Sequence, residues 1–108
     1  MRILFDHGTP APLQFSLTGH TVRSAKAQGW DTFTNGDLLT AAEAAGFDVL
    51  VTTDKNIRYQ QKLTGRRIAI IVIGNAQWPV LRSRVADVLA AVNAAAPGSY
   101  TEAVIPGA

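Results

Sequence analysis

The fold is decided by residues 47–54, which read Phe47-Asp48-Val49-Leu50-Val51-Thr52-Thr53-Asp54. The residues from Phe47 to Thr53 are mostly apolar and β-branched, so they predict a central strand that is buried on both faces, as in a parallel sheet. Asp54 follows this strand directly. Because ligands of open α/β sheets bind outside the carboxyl ends of the strands, Asp54 is a candidate functional residue.

Further strands and helices alternate along the chain on both sides of this segment. Apolar runs predict strands at 3–5, 20–25 and 68–73, and a last edge strand at 100–105. Helical spacing and capping residues predict helices at 10–17, between Thr34 or Asn35 and Gly46, at 56–63, and at 79–95, the last being the longest. This alternation predicts an α/β fold with helices on both faces of a mostly parallel central sheet of four or five strands.

Composition excludes several classes of protein. The chain has 108 residues, of which 47% are hydrophobic and 17% charged, and it contains no cysteine. These values exclude a disulfide scaffold, a thiolate metal site and a disordered chain, and they fit a single domain over residues 1–108. No apolar run approaches the roughly 18 residues of a membrane span, and no signal-peptide pattern is present, so a cytoplasmic protein is expected. The formal net charge of +2 is too small to indicate nucleic-acid binding by itself.

Three of the eight acidic residues occupy related positions. Asp6 and Asp54 follow predicted strands, and Asp37 lies in the first turn of a predicted helix. Because such a helix begins at the carboxyl edge of a parallel sheet, all three side chains are expected at one rim. Grouped carboxylates repel each other unless a divalent cation with oxygen ligands neutralises them, so the pattern predicts a Mg²⁺ or Mn²⁺ site. Taken singly, each aspartate is more simply explained as the cap of a turn or a helix.

Polar side chains beside the acids are candidates for contacting phosphate or lining the site. Lys55, Arg58 and Lys62 share one face of the helix predicted at 56–63, although a solvated face also explains them. His7 follows Asp6 and is a candidate ligand, general base or phosphate contact, with a turn residue as the simpler interpretation. Asn75 follows the fourth predicted strand at the carboxyl edge and is a candidate lining residue.

Two tryptophans are candidates for contacting another protein. Trp30 lies in a predicted polar loop and Trp78 at the start of a predicted helix. Either could anchor a partner or a homodimer, although packing in the core is the simpler explanation for both. Arg66 and Arg67 precede a predicted strand and are expected at the opposite edge of the sheet.

Each of the three aspartates lies in a short segment whose neighbouring residues are informative. The segments are Ile3-Leu4-Phe5-Asp6, Asn35-Gly36-Asp37-Leu38-Leu39 and Val49-Leu50-Val51-Thr52-Thr53-Asp54-Lys55-Asn56. They resemble the PIN-like domains, and more narrowly the short, toxin-like members of bacterial toxin-antitoxin pairs. The resemblance spans residue 1 to about residue 75 and implies a PIN-like three-layer α/β/α fold.

The same resemblance implies a function. Asp6, Asp37 and Asp54 would be the catalytic, metal-binding acids of a Mg²⁺- or Mn²⁺-dependent ribonuclease, with Thr53 lining the site. Asn56, two residues after Asp54, is a further candidate for contacting RNA or lining the site. The implied partners are an RNA substrate and a small antitoxin protein.

The sequence also departs from the PIN-like pattern. Larger PIN domains carry another acid in a helix between the first and third positions, whereas Asp31, in a predicted loop, is the only acid between Asp6 and Asp37. His7 stands where relatives often have an acid or asparagine, and Asn56 stands where they frequently have a second aspartate.

Two alternatives to the ribonuclease therefore stay open. The first is a non-catalytic PIN-like module that binds or regulates another molecule. The second is a receiver-like domain in which Asp54 accepts a phosphoryl group and Asp6 binds the metal, although the chain has no lysine after Lys62 to complete a receiver site.

Overall fold

A five-stranded sheet, in which every strand is parallel to its neighbours, forms the centre of the molecule. The computed structural model describes residues 1–57, 63–74 and 76–103. The strands are β1 (Arg2–Phe5), β2 (Thr21–Ser24), β3 (Val49–Thr52), β4 (Ala69–Val72) and β5 (Tyr100–Glu102), in the spatial order β2-β1-β3-β4-β5. The α-helices are α1 (Asn35–Ala44), α2 (Trp78–Leu81) and α3 (Val85–Asn93), and 3₁₀ helices span Ala11–Ser16 and Arg82–Arg84.

Alternating strand residues divide the core into two layers. Ile3 and Phe5 pack on one face of the sheet and Leu4 on the other, as the two-residue period of a strand requires. The face of Ile3 is covered by the first 3₁₀ helix, α2 and α3, and the face of Leu4 is covered by α1. This arrangement confirms the predicted α/β class and is compatible with a PIN-like three-layer α/β/α fold.

Helix α1 begins and ends as its sequence predicts. The backbone N–H of Asp37 donates to the Thr34 hydroxyl (3.3 Å), which caps the helix. Gly46 has a φ of +82°, the left-handed conformation that glycine adopts at little cost after a helix. The positions of β3 and β4 agree with the predicted strands to within two residues at each end.

The prediction of one long helix at 79–95 is wrong. The segment forms α2, a 3₁₀ turn and α3, because Arg84 has φ −123° and ψ 18°, which interrupts helical geometry. Among the residues that the structure describes, α1 is instead the longest α-helix, with 10 residues. Most of the helix predicted at 56–63 and the end of the strand predicted at 100–105 lie outside the described residues. Within the described ranges, no helix is long and apolar enough to cross a membrane.

Glu43 joins α1 to the start of β4 at the amino edge of the sheet. Its carboxylate accepts hydrogen bonds from Arg66 Nη1 (2.7 Å) and from the backbone N–H of Arg67 (2.8 Å). Burial alone would raise the pKa of Glu43, but the bond from Arg67 and the bond and charge of Arg66 outweigh burial and hold the pKa below its ordinary value. The arginine pair therefore lies at the edge opposite the aspartates, as predicted.

Replacing Ile71 by alanine tests the core layer on the same face of the sheet as Ile3. Ile71 is fully buried in β4, so Ile71→Ala should lower the free energy of unfolding by about 2–5 kcal/mol. Phe15→Ala is the control, because Phe15 is 79% exposed and its removal should change stability by less than about 1 kcal/mol. Urea unfolding followed by circular dichroism measures both, and equal effects would contradict the assigned core.

Replacing Glu43 by glutamine tests the contact at the amino edge. Because the folded-state pKa of Glu43 is lowered, its stabilising effect is present above the unfolded-state pKa and is lost as pH falls through the folded-state pKa. Glu43→Gln should therefore cost about 1 kcal/mol near neutral pH and less near about pH 2.

The control for Glu43→Gln is Asp87→Asn, which removes an exposed ion pair with Arg84 at 3.7 Å. This variant should change the free energy of unfolding by less than about 0.5 kcal/mol at either pH. A cost for Glu43→Gln that stays constant across the pH range would show that ionisation of Glu43 is irrelevant to stability.

Candidate functional site

The pairing of β1 with β3 places Asp6 next to Thr52 at the carboxyl edge of the sheet. Phe5 pairs with Val51, so the residue that follows each of them, Asp6 after β1 and Thr52 in β3, lies beside the other. By the two-residue period of a strand, both are on the face that α1 covers. The Thr52 hydroxyl donates a hydrogen bond to Asp6 Oδ2. β2 lies on one side of β1 and β3 on the other, so the order of strands reverses between β1 and β3. Ligands of open parallel sheets bind at the carboxyl edge where the strand order reverses.

Two buried threonines orient the carboxylate of Asp6. Thr52 is completely buried and Thr9 is 8% exposed. The Thr9 hydroxyl lies 2.8 Å from Asp6 Oδ1 and 3.0 Å from the carbonyl oxygen of Val51, so its single proton serves either acceptor. Both carboxylate oxygens of Asp6 therefore have a hydroxyl neighbour within the fold.

The same Thr52 hydroxyl connects Asp6 to Asp54. Its oxygen accepts a hydrogen bond from the backbone N–H of Asp54 at 3.1 Å. Asp54 Oδ2 accepts from Asn35 Nδ2 (2.8 Å), and Asp54 Oδ1 accepts from the backbone N–H of Asn56 (2.9 Å). Asn35 is the first residue of α1, so the helix begins at the carboxyl edge, as expected from the topology. The bond to Asn56 also shows Asp54 capping the turn that follows it.

Asp37 is placed differently from the other two aspartates. It is exposed in the first turn of α1, two residues after Asn35. Residues that are two positions apart in an α-helix lie about 200° apart around its axis. Asp37 is therefore directed away from the side on which Asn35 contacts Asp54. Within the described part of the chain, no three His, Cys, Asp or Glu side chains form a group that could hold a metal ion. The structure thus connects Asp6 with Asp54, and the role of Asp37 stays a prediction.

Gly8 packs against Thr53, which follows β3 at the same edge. A Cβ atom at Gly8 would lie only 2.7 Å from Thr53 Oγ1 and 3.7 Å from Asp6 Oδ1. The turn after β1 therefore approaches Thr53 so closely that a side chain at position 8 would require the Thr53 hydroxyl to move. His7 is exposed in this turn, next to Asp6.

Lys55 lies over the end of β4. Its Cε atom is 3.4 Å from the place that a Cβ atom of Gly74 would occupy, and Lys55 forms no ion pair with any described residue. Asn56 is exposed, like Lys55. The remaining candidates, Arg58, Lys62 and Asn75, lie outside the described residues.

Both tryptophans pack against the core. The Trp30 ring stacks on Phe33 with centroids 6.2 Å apart, and it meets Phe47 edge-on at 6.0 Å. Trp30 adds to the layer under α1, and Trp78 adds to the opposite layer. Core packing therefore accounts for their burial, and a role in a homodimer stays a prediction.

Three residues of the site were not predicted as functional. Thr9, Asn35 and Thr52 hold the two aspartates through side-chain hydrogen bonds. The two-residue period of β3 could have identified Thr52, because a residue two positions before Asp54 faces the same side of the sheet. No comparable local signal exists for Thr9 and Asn35, whose contacts depend on the folded turn and on the docking of α1.

The arrangement around Asp6 and Asp54 suits a hard divalent cation. Neither carboxylate forms an ion pair with a lysine or arginine among the described residues. The potential ligands are all oxygen atoms, which Mg²⁺ and Mn²⁺ prefer. Mg²⁺ is commonly held by only one or two protein carboxylates, with water and substrate phosphate completing its shell. Asp6 and Asp54 are therefore the described carboxylates that could hold such a cation.

Comparison with protein-family models, with curated proteins and with solved structures found no match to this chain. Its function must therefore be inferred from the geometry of the carboxyl edge.

Thr52→Val tests the connection between the two aspartates. The substitution keeps the shape of the side chain but removes the hydroxyl that donates to Asp6 and accepts from Asp54. We expect it to lower the free energy of unfolding by about 1–3 kcal/mol, because buried polar groups lose their partner. Thr53→Val is the matched control, since Thr53 is partly exposed, and it should cost less than about 1 kcal/mol. Chemical denaturation compares the two, and equal costs would rule out the connecting role of Thr52.

Proposed function

We propose that the protein is a PIN-like, Mg²⁺- or Mn²⁺-dependent endoribonuclease, acting in the cytoplasm as the toxin of a bacterial toxin-antitoxin pair. One observation carries the proposal: a single buried hydroxyl, that of Thr52, connects Asp6 and Asp54 at the carboxyl ends of adjacent central strands. Enzymes of this architecture bind their ligands at that position. The resemblance of the three aspartate segments to PIN-like domains supports the choice of RNA as substrate.

Each residue of the site has a defined part in this proposal. Asp6 and Asp54 would hold the divalent cation, and Asp37, which the resemblance also makes a metal-binding acid, lies on the outer side of α1, away from the connected pair. Such a cation would supply two things to the chemistry, a lower pKa of a bound water that attacks in line and compensation of the negative charge on the phosphodiester. Thr52 fixes the orientation of Asp6, and Asn35 fixes that of Asp54.

Cationic and polar groups near the acids would position the RNA. Lys55 is exposed, unpaired among the described residues and close to Asp54 in sequence, which suits contact with a phosphate of the substrate. His7 is exposed beside Asp6 and is available to contact the same backbone. Both residues orient the substrate in this proposal, and neither replaces the acids.

A non-catalytic PIN-like module is the second candidate, and the orientation of Asp37 favours it. If two aspartates are too few to hold the cation, the same edge would bind a partner without cleaving it. A receiver-like phosphoacceptor is favoured by the order β2-β1-β3-β4-β5 and by the position of Asp54 after β3. The absence of any lysine after Lys62 weighs against the receiver.

Removing either connected aspartate should abolish RNA cleavage. Asp6→Asn and Asp54→Asn are each expected to lower the rate of Mg²⁺- or Mn²⁺-dependent cleavage by at least about 100-fold, because each removes a negative ligand. Asp37→Asn should have a smaller effect, since Asp37 is exposed and directed away from the pair. Asp87→Asn, on the exposed side of α3, is the matched control and should cleave like the wild type.

The measurement is cleavage of a single-stranded and a structured RNA by purified protein with and without metal. Titration calorimetry with Mn²⁺ reports cation binding independently of cleavage. If the wild type cleaves neither RNA and binds no cation at millimolar concentration, the ribonuclease proposal fails and the non-catalytic module replaces it. Phosphorylation of Asp54 by a small phosphodonor would instead favour the receiver.

Growth inhibition tests the toxin assignment separately. Expression of the wild type in bacteria should arrest growth, and expression of Asp54→Asn should not. If the protein cleaves RNA in vitro but does not affect growth, the ribonuclease assignment stands and the toxin assignment is wrong.

A further inference from the structure

A cavity of about 410 Å³ adjoins Asp6 on the side of β2. It lies between the carboxyl end of β2, the turn after β1 and the first 3₁₀ helix. Its volume falls in the range of about 300–1,000 Å³ that is usual for small-molecule sites. Because Asp6 belongs both to the cavity and to the connected acid pair, whatever occupies the cavity lies directly beside the proposed catalytic edge.

The lining of this cavity combines an apolar wall with cationic groups. Phe5 and Val22 contribute the apolar part, and Gln14 contributes an amide. Arg23 and Lys26 also line the cavity, and neither side chain forms an ion pair within the described residues.

Charge in the cavity favours an anion. Among the described residues that line the cavity, the two cations outnumber the acids, of which Asp6 is the only one. The carboxylate of Asp6 also already has hydroxyl neighbours in Thr9 and Thr52, which lessens its repulsion of a second negative group.

We propose that this cavity binds one nucleotide, with Arg23 and Lys26 contacting its phosphate and the apolar wall contacting its base. An unpaired arginine and lysine are the usual partners of a phosphate, and an apolar wall accommodates the face of a base. Gln14 provides both a donor and an acceptor for the polar edge of a base. The inference rests on the proposed function in one respect: in an RNA substrate, this nucleotide would neighbour the phosphodiester that is cleaved at Asp6 and Asp54.

Binding of a nucleoside monophosphate tests the cavity without cleavage. Titration calorimetry would use AMP, adenosine and inorganic phosphate, each with EDTA and with Mg²⁺, against the full chain. AMP should bind more tightly than either of its parts. The double variant Arg23→Ala/Lys26→Ala should weaken AMP binding by at least about 10-fold, because both phosphate contacts are lost. Arg67→Ala is the matched control, since Arg67 is an exposed arginine at the amino edge, and it should bind AMP like the wild type.

Kinetics with an RNA oligonucleotide give the second readout. The double variant should raise KM several-fold with little change in kcat, because it loses binding away from the reacting bond. Circular dichroism checks that the double variant is folded, as expected for side chains on the surface. Tighter binding of a dinucleotide than of AMP identifies the ligand as a unit of RNA, and equal binding identifies it as a free nucleotide.

The two proposals fail in different ways. If the wild type binds AMP, the double variant does not, and no RNA is cleaved, the nucleotide site stands and the ribonuclease is rejected. If RNA is cleaved but the double variant binds AMP and cleaves RNA like the wild type, the nucleotide site is overturned and the ribonuclease stands. Equal loss of AMP binding in Arg67→Ala would also overturn the site, because it would show binding by general positive charge.

Discussion

The pairing register of β1 and β3 is the constraint on which the rest of the structure depends. Leu4 and Phe5 are both buried, on opposite faces of the sheet, so a slip of one residue would exchange their environments. The same slip would move Asp6 away from Thr52 and break the connection to Asp54. Burial of ordinary apolar side chains therefore fixes which residues come together at the polar edge, and the hydrogen bonds of Thr9, Thr52 and Asn35 then orient the two carboxylates.

Those parts of the fold that depend on local pattern could be predicted from the sequence. The apolar runs around Val51 and Ile71 identify the central strands, since strands buried on both faces leave a continuous apolar signal. The break at Arg84 could not be predicted, because the apolar positions on both sides of it keep helical spacing. Leu81 and Val88 are seven residues apart and enter the same layer of the core, so the pattern is the same with or without the interruption.

In the candidate site, too, the sequence predicts what depends on local pattern and does not predict what depends on packing. The position of Asp6 and Asp54 after apolar strands is enough to predict that they lie at the same edge, because parallel strands end together there. The direction of a side chain in the first turn of a helix depends on how the helix is rotated about its axis. That rotation is set by the packing of Leu38, Leu39 and Ala42 on the sheet, and it turns Asn35, not Asp37, towards Asp54.

The close approach of Gly8 to Thr53 has a consequence for which residues positions 8 and 53 can carry together. A Cβ atom at position 8 would lie 2.7 Å from Thr53 Oγ1, which is too close, but 4.0 Å from Thr53 Cβ, which is an ordinary van der Waals distance. An alanine at position 53 would remove the obstructing oxygen and leave room for an alanine at position 8. Positions 8 and 53 should therefore covary among homologues, with glycine at the first wherever the second carries a γ atom directed towards it.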